Sequence, residues 1–381
     1  MTSLKVLICG GGCAGPALAY WLSLSGHQVV VVERFPAIRA TGAQIDIRAQ
    51  GIEVIKQMGL LDTIRTKLVH EPSVSLVDSA GKANATIMAN TSGKGAQSLT
   101  SEYEIMRGDL VRILYDATKG KVNYIFGRTV DCFEQDEQQV VAYFSDGSSN
   151  SFDLLLAYSF IQRTEDDSNF HEMFLSPGGR LVARRSHSPS DTQVYFILKD
   201  NSENFMSLSK VTIEQQREFW ASRFADAGWQ TPRFLQGIEA TNNFYCQEAV
   251  QVCIDSWHKG RVVLLSDAAY CSSPFSAMGT TGSFVGAYVL AGEINRHRGD
   301  LAQALINYEQ RLRPFVNEMQ KIHPSFIRLM LPDTQLGISV IHFVLGLICF
   351  LRIPGFLSRF TTEDQGGWKL PDYPKIYQTI Q

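Results

Sequence analysis

Read by its apolar and polar positions, the chain opens with an apolar run, Val6 to Cys9, then an Ala/Leu-rich stretch at helical spacing and a second apolar run, Val29 to Val32. Short apolar runs bounded by turn residues read as buried strands, so the pattern predicts a strand–helix–strand unit. Ile45 and Ile47 alternate with Gln44, Asp46 and Arg48, which predicts a strand with its polar side chains on one face, followed by a helix ending near Gly59. That polar face either borders a bound ligand or is an ordinary solvated strand face. Residues between Val69 and Ser98 are strand-like and turn-rich. Their end, Ser92 to Ser98, lacks the spacing of a phosphate loop and reads as a surface loop.

From Tyr103 to Tyr115 an extended piece runs into a helix with Arg107 at its start and Asp109 in its first turn, an acid that complements the helix dipole. Val122–Ile125, Thr129–Phe133 and Val140–Phe144 then read as strands, with a Ser145-Asp146-Gly147 turn leading to Phe152–Ala157. The middle of the chain, residues 158–242, predicts a hairpin around Ser188 to Asp191. It also predicts an amphipathic helix, Ile213 to Ala227, with Phe219, Trp220 and Phe224 toward one face. Later come a buried-strand run, Val262 to Leu265, a loop holding Pro274 and Gly279, and a small-residue helix, Ser283 to Ile294. The helical pattern continues from Asn295 to Ile322, with Pro314 expected to kink or end it. Leu336 to Leu351 is a run of sixteen residues without formal charge. A spanning helix needs about 17 to 25 apolar residues, so packing on the globular body is the expectation and membrane contact or a span is the alternative.

At 381 residues the chain is long enough for two or three domains and a large core. Its formal net charge of −3 gives no reason to expect a nucleic-acid partner. The seven cysteines are scattered, without Cys-x-x-Cys pairs or zinc-ligand spacing, so no metal site is expected and the thiols read as reduced and cytoplasmic. The first strand starts too close to Met1 for a secretory signal peptide.

Candidate chemistry sits where the apolar runs end. Gly10, Gly12 and Gly15 have G-x-G-x-x-G spacing between the first strand and helix, a pattern that serves a tight turn, close approach of a pyrophosphate and tight helix–sheet packing. The free N–H groups of that helix favour an anion. Glu33, at the end of the second strand, is placed to accept hydrogen bonds from a ribose diol. Asp267 ends the late strand, where an acceptor for sugar hydroxyls is expected, and a second helix N-terminus follows. Arg107 either reaches toward a phosphate or ribityl chain or forms a surface ion pair. No Ser-His-Asp set is apparent.

The two segments together, the glycine turn with Glu33-Arg34 and the late GRVVLLSDAAYCSSPFSAMG, resemble the FAD-dependent monooxygenases of the para-hydroxybenzoate hydroxylase fold. The resemblance covers most of the chain. It implies an α/β fold: a Rossmann-like FAD-binding domain in two parts (1–157 and 246–325), a mixed-sheet substrate domain (158–245) and a C-terminal helical tail (326–381). It assigns Gly10, Gly12, Gly15, Glu33 and Arg34 to the ADP half of FAD, Asp267 to the ribityl chain, and Arg107, Pro274 and Gly279 to the flavin side. Ser266 and Ala277 stand where the family has glycine. Gln44 and Asp46 are candidates for substrate contact. The implied activity is oxygenation of an aromatic or polyketide-like small molecule with NAD(P)H and O2, with the flavin supplying the chemistry and no protein residue assigned a catalytic role. One departure is large: after Asp153–Leu156 the family's Asp-Gly motif is missing, and Ala157 onward resembles a segment lying well beyond it. A flavin-binding remnant without turnover, and less so an NAD-linked dehydrogenase, are the alternative readings.

Overall fold

The computed structural model describes residues 3–38, 43–90, 102–152, 171–188, 191–199, 211–240, 244, 246, 251–321, 329–351 and 367–373. The expected loop at Ser92 to Ser98 and the break after Leu156 lie outside them.

The first unit forms as its pattern predicts: β1 (Lys5–Cys9), α1 (Ala14–Leu24) and β2 (Gln28–Glu33), with β1 and β2 parallel. Next come β3 (Gln44–Asp46), α2 (Gln50–Gln57), α3 (Leu61–Arg65), β4 (Ser73–Val77), β5 (Ala83–Met88), β6 (Glu104–Met106) and α4 (Arg107–Thr118). β7 (Asn123–Phe126) joins the parallel sheet beside β2, while β8 (Val130–Gln135), β9 (Val140–Phe144) and β10 (Ser149–Phe152) make a separate antiparallel sheet. β3 and β6 pair as a short antiparallel ribbon.

β11 (His171–Ser176), β12 (Arg180–Ser188) and β13 (Asp191–Leu198) include the predicted hairpin. They do not form a sheet by themselves: β11 pairs in parallel with β4, giving a five-stranded sheet of order β13-β12-β11-β4-β5. Residues 73–88 thus contribute to the second sheet although they precede position 157 in the chain. Alternation along the strands gives this sheet two faces. Val77, Phe174 and Val182 pack against Trp220 and Phe224 of α5 (Ile213–Phe224) and Phe234 of α6 (Thr231–Ala240). Leu76, Ala85, Leu175, Leu181 and Ala183 face the C-terminal helix described below.

β14 (His258–Lys259), β15 (Val262–Val263), α7 (Asp267–Tyr270), α8 (Gly279–Arg296), α9 (Leu301–Met319) and α10 (Gln335–Phe350) complete the chain. The predicted continuous helix from Asn295 is broken at Gly299, which has φ 99°, and restarts at Leu301 under an Asp300 cap that accepts from Gln303 N at 2.9 Å. Pro314 does not end α9, which runs on to Met319. Buried α8 packs between α1 and α9 in the main core. Residues 367–373 cross these helices: the Tyr288 hydroxyl donates to Pro371 O at 2.9 Å and the Tyr373 hydroxyl to Glu293 Oε1 at 2.6 Å.

α10 lies on the five-stranded sheet through Ile338, Ile341, Leu345 and Cys349, and His342 Nδ1 is 2.8 Å from Asn84 Nδ2. Leu336, Phe343 and Phe350 on its other side are exposed. Among the described residues, no helix is long and apolar enough to cross a membrane.

Candidate functional site

The glycine turn is fixed by the backbone. Gly10 adopts φ 112°, open to glycine alone at low cost, and its N–H donates to Val32 O at 2.7 Å. A Cβ at Gly15 would lie 2.1 Å from Gly10 O, so the helix approaches the turn as closely as the backbone permits. Gly12 lies in the same turn. Cys13, the N-cap of α1, makes no side-chain cap, and the first turn holds no acid. An uncapped N-terminus with a turn that excludes side chains fits an anionic pyrophosphate.

Glu33 is buried at the end of β2. Its Oε2 accepts from Gly11 N at 2.7 Å and its Oε1 from Phe35 N at 3.0 Å, so the carboxylate braces the turn. Each oxygen has a further lone pair for a sugar hydroxyl. Arg34 is exposed, its guanidinium 5.0 Å from the centre of the Phe35 ring.

Arg107 opens α4 and is buried, which removes the surface ion-pair reading. Burial pushes the Cys13 thiol pKa up, the Arg107 charge lowers it and the Asp267 charge raises it. Both charges are felt at Cys13, although some 90 and 250 residues separate it from Arg107 and Asp267 in sequence.

Ser266, just before Asp267, has φ 58° and ψ −133°, and Ala277, after the 3₁₀ turn Pro274–Ser276, has φ 52° and ψ 21°. These are the two positions where the resemblance expects glycine, and both have backbones that favour it. Gly279 begins α8, whose N-terminus is also without a side-chain cap or first-turn acid. A Cβ there would lie 3.7 Å from Ser272 Oγ, a buried hydroxyl without a partner among the described residues. Thr281 in the first turn of α8 joins the end of β3: its Oγ1 accepts from Arg48 N at 2.9 Å and donates to Arg48 O at 3.1 Å. Two uncapped helix N-termini, a side-chain-free turn and an unused buried hydroxyl fit an elongated dinucleotide with an anionic middle.

The polar face of β3 is not solvated. Gln44 and Arg48 are 6% and 9% exposed, and Asp46 pairs with Arg48 at 3.2 Å, because the five-stranded sheet covers this face. Gln44 N donates to Gln193 Oε1 at 3.1 Å, and Gln44 Nε2 donates to Glu104 Oε2. Arg185 grips Glu71 with Nε at 3.1 Å and Nη2 at 2.7 Å, and its Nη2 also reaches Glu104 Oε2 at 2.7 Å. Burial and the neighbouring Glu104 carboxyl push the Asp46 pKa up to about 7, against the pull of Arg48. Burial and the Arg185 charge hold His171 well below its ordinary value, so it is neutral.

Sequence reasoning missed Glu71, Glu104, Arg185 and Gln193. Their signal was weak: Glu104, Arg185 and Gln193 are charged or amide residues within strands, and Glu71 stands just before one. Among the described residues no cluster of His, Cys, Asp or Glu is suited to a metal, and the seven cysteines are free thiols.

A sequence model of a family described as an FAD binding domain matches residues 3–157. The FAD-dependent monooxygenase asL4 of Sarocladium schorii is 35% identical over 427 aligned positions, covering 99% of each chain. The flavin-dependent monooxygenase eupH of a Phoma species is also 35% identical, covering 98% of each. Among solved structures, the tetracycline destructase Tet(51) superposes with a TM-score of 0.76 at 27% identity, covering 98% of this chain and all of that one.

Proposed function

This chain belongs to the FAD-dependent monooxygenases, which act on small molecules with O2 and NAD(P)H, and we propose that its substrate is an aromatic or polyketide-like compound. FAD held here would supply the redox and oxygen-activating chemistry.

What the residues contribute is binding, orientation and charge. In this reading Gly10, Gly12 and Gly15 leave room for the pyrophosphate at the head of α1, and Glu33 holds the turn and accepts from the ribose. Arg34 lies at the rim beside it. Arg107 and Asp267 flank the ribityl region, and Pro274 and Gly279 shape the entry to α8, whose N-terminus favours negative charge on the ring system. Gln44 and Asp46 face the substrate side, at the junction with the five-stranded sheet. The observation that carries this reading is the glycine turn: a Cβ at Gly15 would lie 2.1 Å from Gly10 O beneath an N-terminus of α1 without a side-chain cap or first-turn acid, a helix head left open to an anion.

The loss of the Asp-Gly segment belongs to the same proposal. The family match stops at residue 157, and the alignment with the asL4 protein has 427 positions against 381 residues here, so at least 46 of them (427 − 381) face no residue of this chain. The test is substrate-stimulated NADPH oxidation by the FAD-loaded protein over a panel of phenols and aromatic ketones. Stimulation by hydroxylated aromatics supports the proposed class. NADPH oxidation that no aromatic compound stimulates contradicts it.

A further inference from the structure

Leu181, Ala183 and Arg185 share one face of β12, and Gln193 lies opposite Arg185 in the β12–β13 register. The face that carries α10 therefore continues into a polar corner against the β3–β6 ribbon. Three buried atoms in that corner have no partner among the described residues: Gln44 Oε1, Gln193 Nε2 and Asp46 Oδ1. The amide orientations follow from the neighbours. Gln44 must turn its NH2 to the Glu104 carboxylate, and Gln193 must turn its oxygen to Gln44 N and to the Tyr195 hydroxyl at 2.6 Å. What remains is two buried acceptors and one buried donor, atoms that are costly to leave unpaired.

The charges around Asp46 are unequal. Glu104 from β6, Glu71 preceding β4 and Asp46 itself make three carboxyls. Arg48 following β3 and Arg185 from β12 make two guanidiniums, while His171 from β11 is neutral and Tyr195 from β13 is uncharged. Asp46 Oδ2 accepts from Arg48, so a proton on the Asp46 carboxyl belongs on Oδ1, and it balances the set. When that proton leaves, Oδ1 lacks a donor.

The geometry points to Gln44, Asp46 and Gln193 as the recognition corner for two hydroxyl groups of an aromatic substrate, with Asp46 accepting the proton of one of them. This rests on the function proposed above and deepens it. One ligand hydroxyl donates to Asp46 Oδ1 and accepts from Gln193 Nε2, and the second donates to Gln44 Oε1. In the proton transfer the ligand O–H bond breaks, its electron pair stays on the ligand oxygen, and the proton joins the Asp46 carboxylate. Nothing is oxidised or reduced. The Arg48 and Arg185 charges and the Gln193 N–H offset the new oxyanion.

The test is calorimetric titration of the FAD-loaded protein with resorcinol and with 1,3-dimethoxybenzene, which keeps the ring and oxygens but has no O–H, from pH 6 to pH 8. The expected result is at least about tenfold tighter binding of resorcinol at pH 8. This advantage shrinks as pH falls through about 7, since the protonated pair no longer needs a donor. Asp46→Asn should abolish the pH step, and Gln193→Leu should keep the step while weakening resorcinol throughout. Equal affinity for the two ligands at every pH, failure of resorcinol to bind, or a step that persists in Asp46→Asn would overturn the inference. If the protein takes up no FAD the wider reading fails, and titration of the cofactor-free protein with the same two ligands over the same pH range decides this one.

Discussion

The hydroxyl oxygens of Ser266 and Ser283 lie 2.6 Å apart, joining the head of α7 to α8 one turn in from its start. This contact holds a backbone with φ 58° at Ser266, in a region that residues with a Cβ seldom enter. A glycine there relaxes the backbone but forfeits the hydrogen bond. Nearby Ala277 has the same kind of strain with no side-chain bond to lose.

Ala277→Gly should therefore stabilise the protein. A left-handed alanine costs about 1–2 kcal/mol, while the added freedom of glycine in the unfolded chain takes back roughly 0.4–1 kcal/mol. The expected net gain is about 0.5–1 kcal/mol, read as a higher urea midpoint at unchanged slope. A lower midpoint would show that the Pro274–Ser276 turn is not strained.

Gly15→Ala should disrupt cofactor binding. The new methyl would lie 2.1 Å from Gly10 O, a backbone atom that cannot give way without moving the turn. Overpacking of this kind costs about 1–3 kcal/mol, so FAD affinity should fall at least about tenfold in a titration followed by flavin fluorescence. Unchanged affinity would mean that the pyrophosphate does not sit at this turn.

Much of this was legible in the sequence. The first strand–helix–strand unit announced itself because buried parallel strands are continuous apolar runs and the glycines punctuate them. The late strand was legible only in part: it covers Val262–Val263 and stops short of Leu265, and Asp267 opens a helix instead. The five-stranded sheet was not, because β4 and β11 are some 100 residues apart and nothing local tells a strand which partner it joins. Nor was the charge cluster: a solvated and a buried polar strand face have the same period of two, and only the covering sheet distinguishes them. Pro314 does not end its helix because a surrounding core outweighs the loss of a single N–H; Leu312, Phe315 and Val316 are buried.

The pH dependence of stability should carry the mark of Asp46. Its folded pKa is raised, so between pH 4 and 7 the native state binds more protons than the unfolded chain, and stability falls as pH rises through that window. The effect is on the order of 4 kcal/mol. His171 acts oppositely: buried neutral, it lowers stability as pH drops below about 6.5, where the unfolded chain takes up a proton. Asp46→Asn removes the first effect alone, so its thermal midpoint should drop less than that of the natural protein between pH 5 and 8. Parallel curves would show that Asp46 titrates normally.

Tyr373→Phe should cost about 1–2 kcal/mol. The hydroxyl donates at 2.6 Å to Glu293, a fully buried carboxylate shared with Arg311 at 2.7 Å and Arg296 at 3.3 Å. Its loss leaves that carboxylate a donor short and loosens residues 367–373 across α8. Thermal melting checks the cost, and faster proteolysis at the C-terminal segment checks the loosening. A variant as stable and as resistant as the natural protein would show that this segment is not anchored there.

The central claim is that the head of α1, Arg107 and Asp267 surround one FAD. The most direct measurement is the visible spectrum of the purified protein before and after incubation with FAD and gel filtration. Flavin absorption at one FAD per chain, strongly reduced in Asp267→Leu, is the predicted result. A colourless protein that takes up no FAD, or full retention in that variant, would contradict the account.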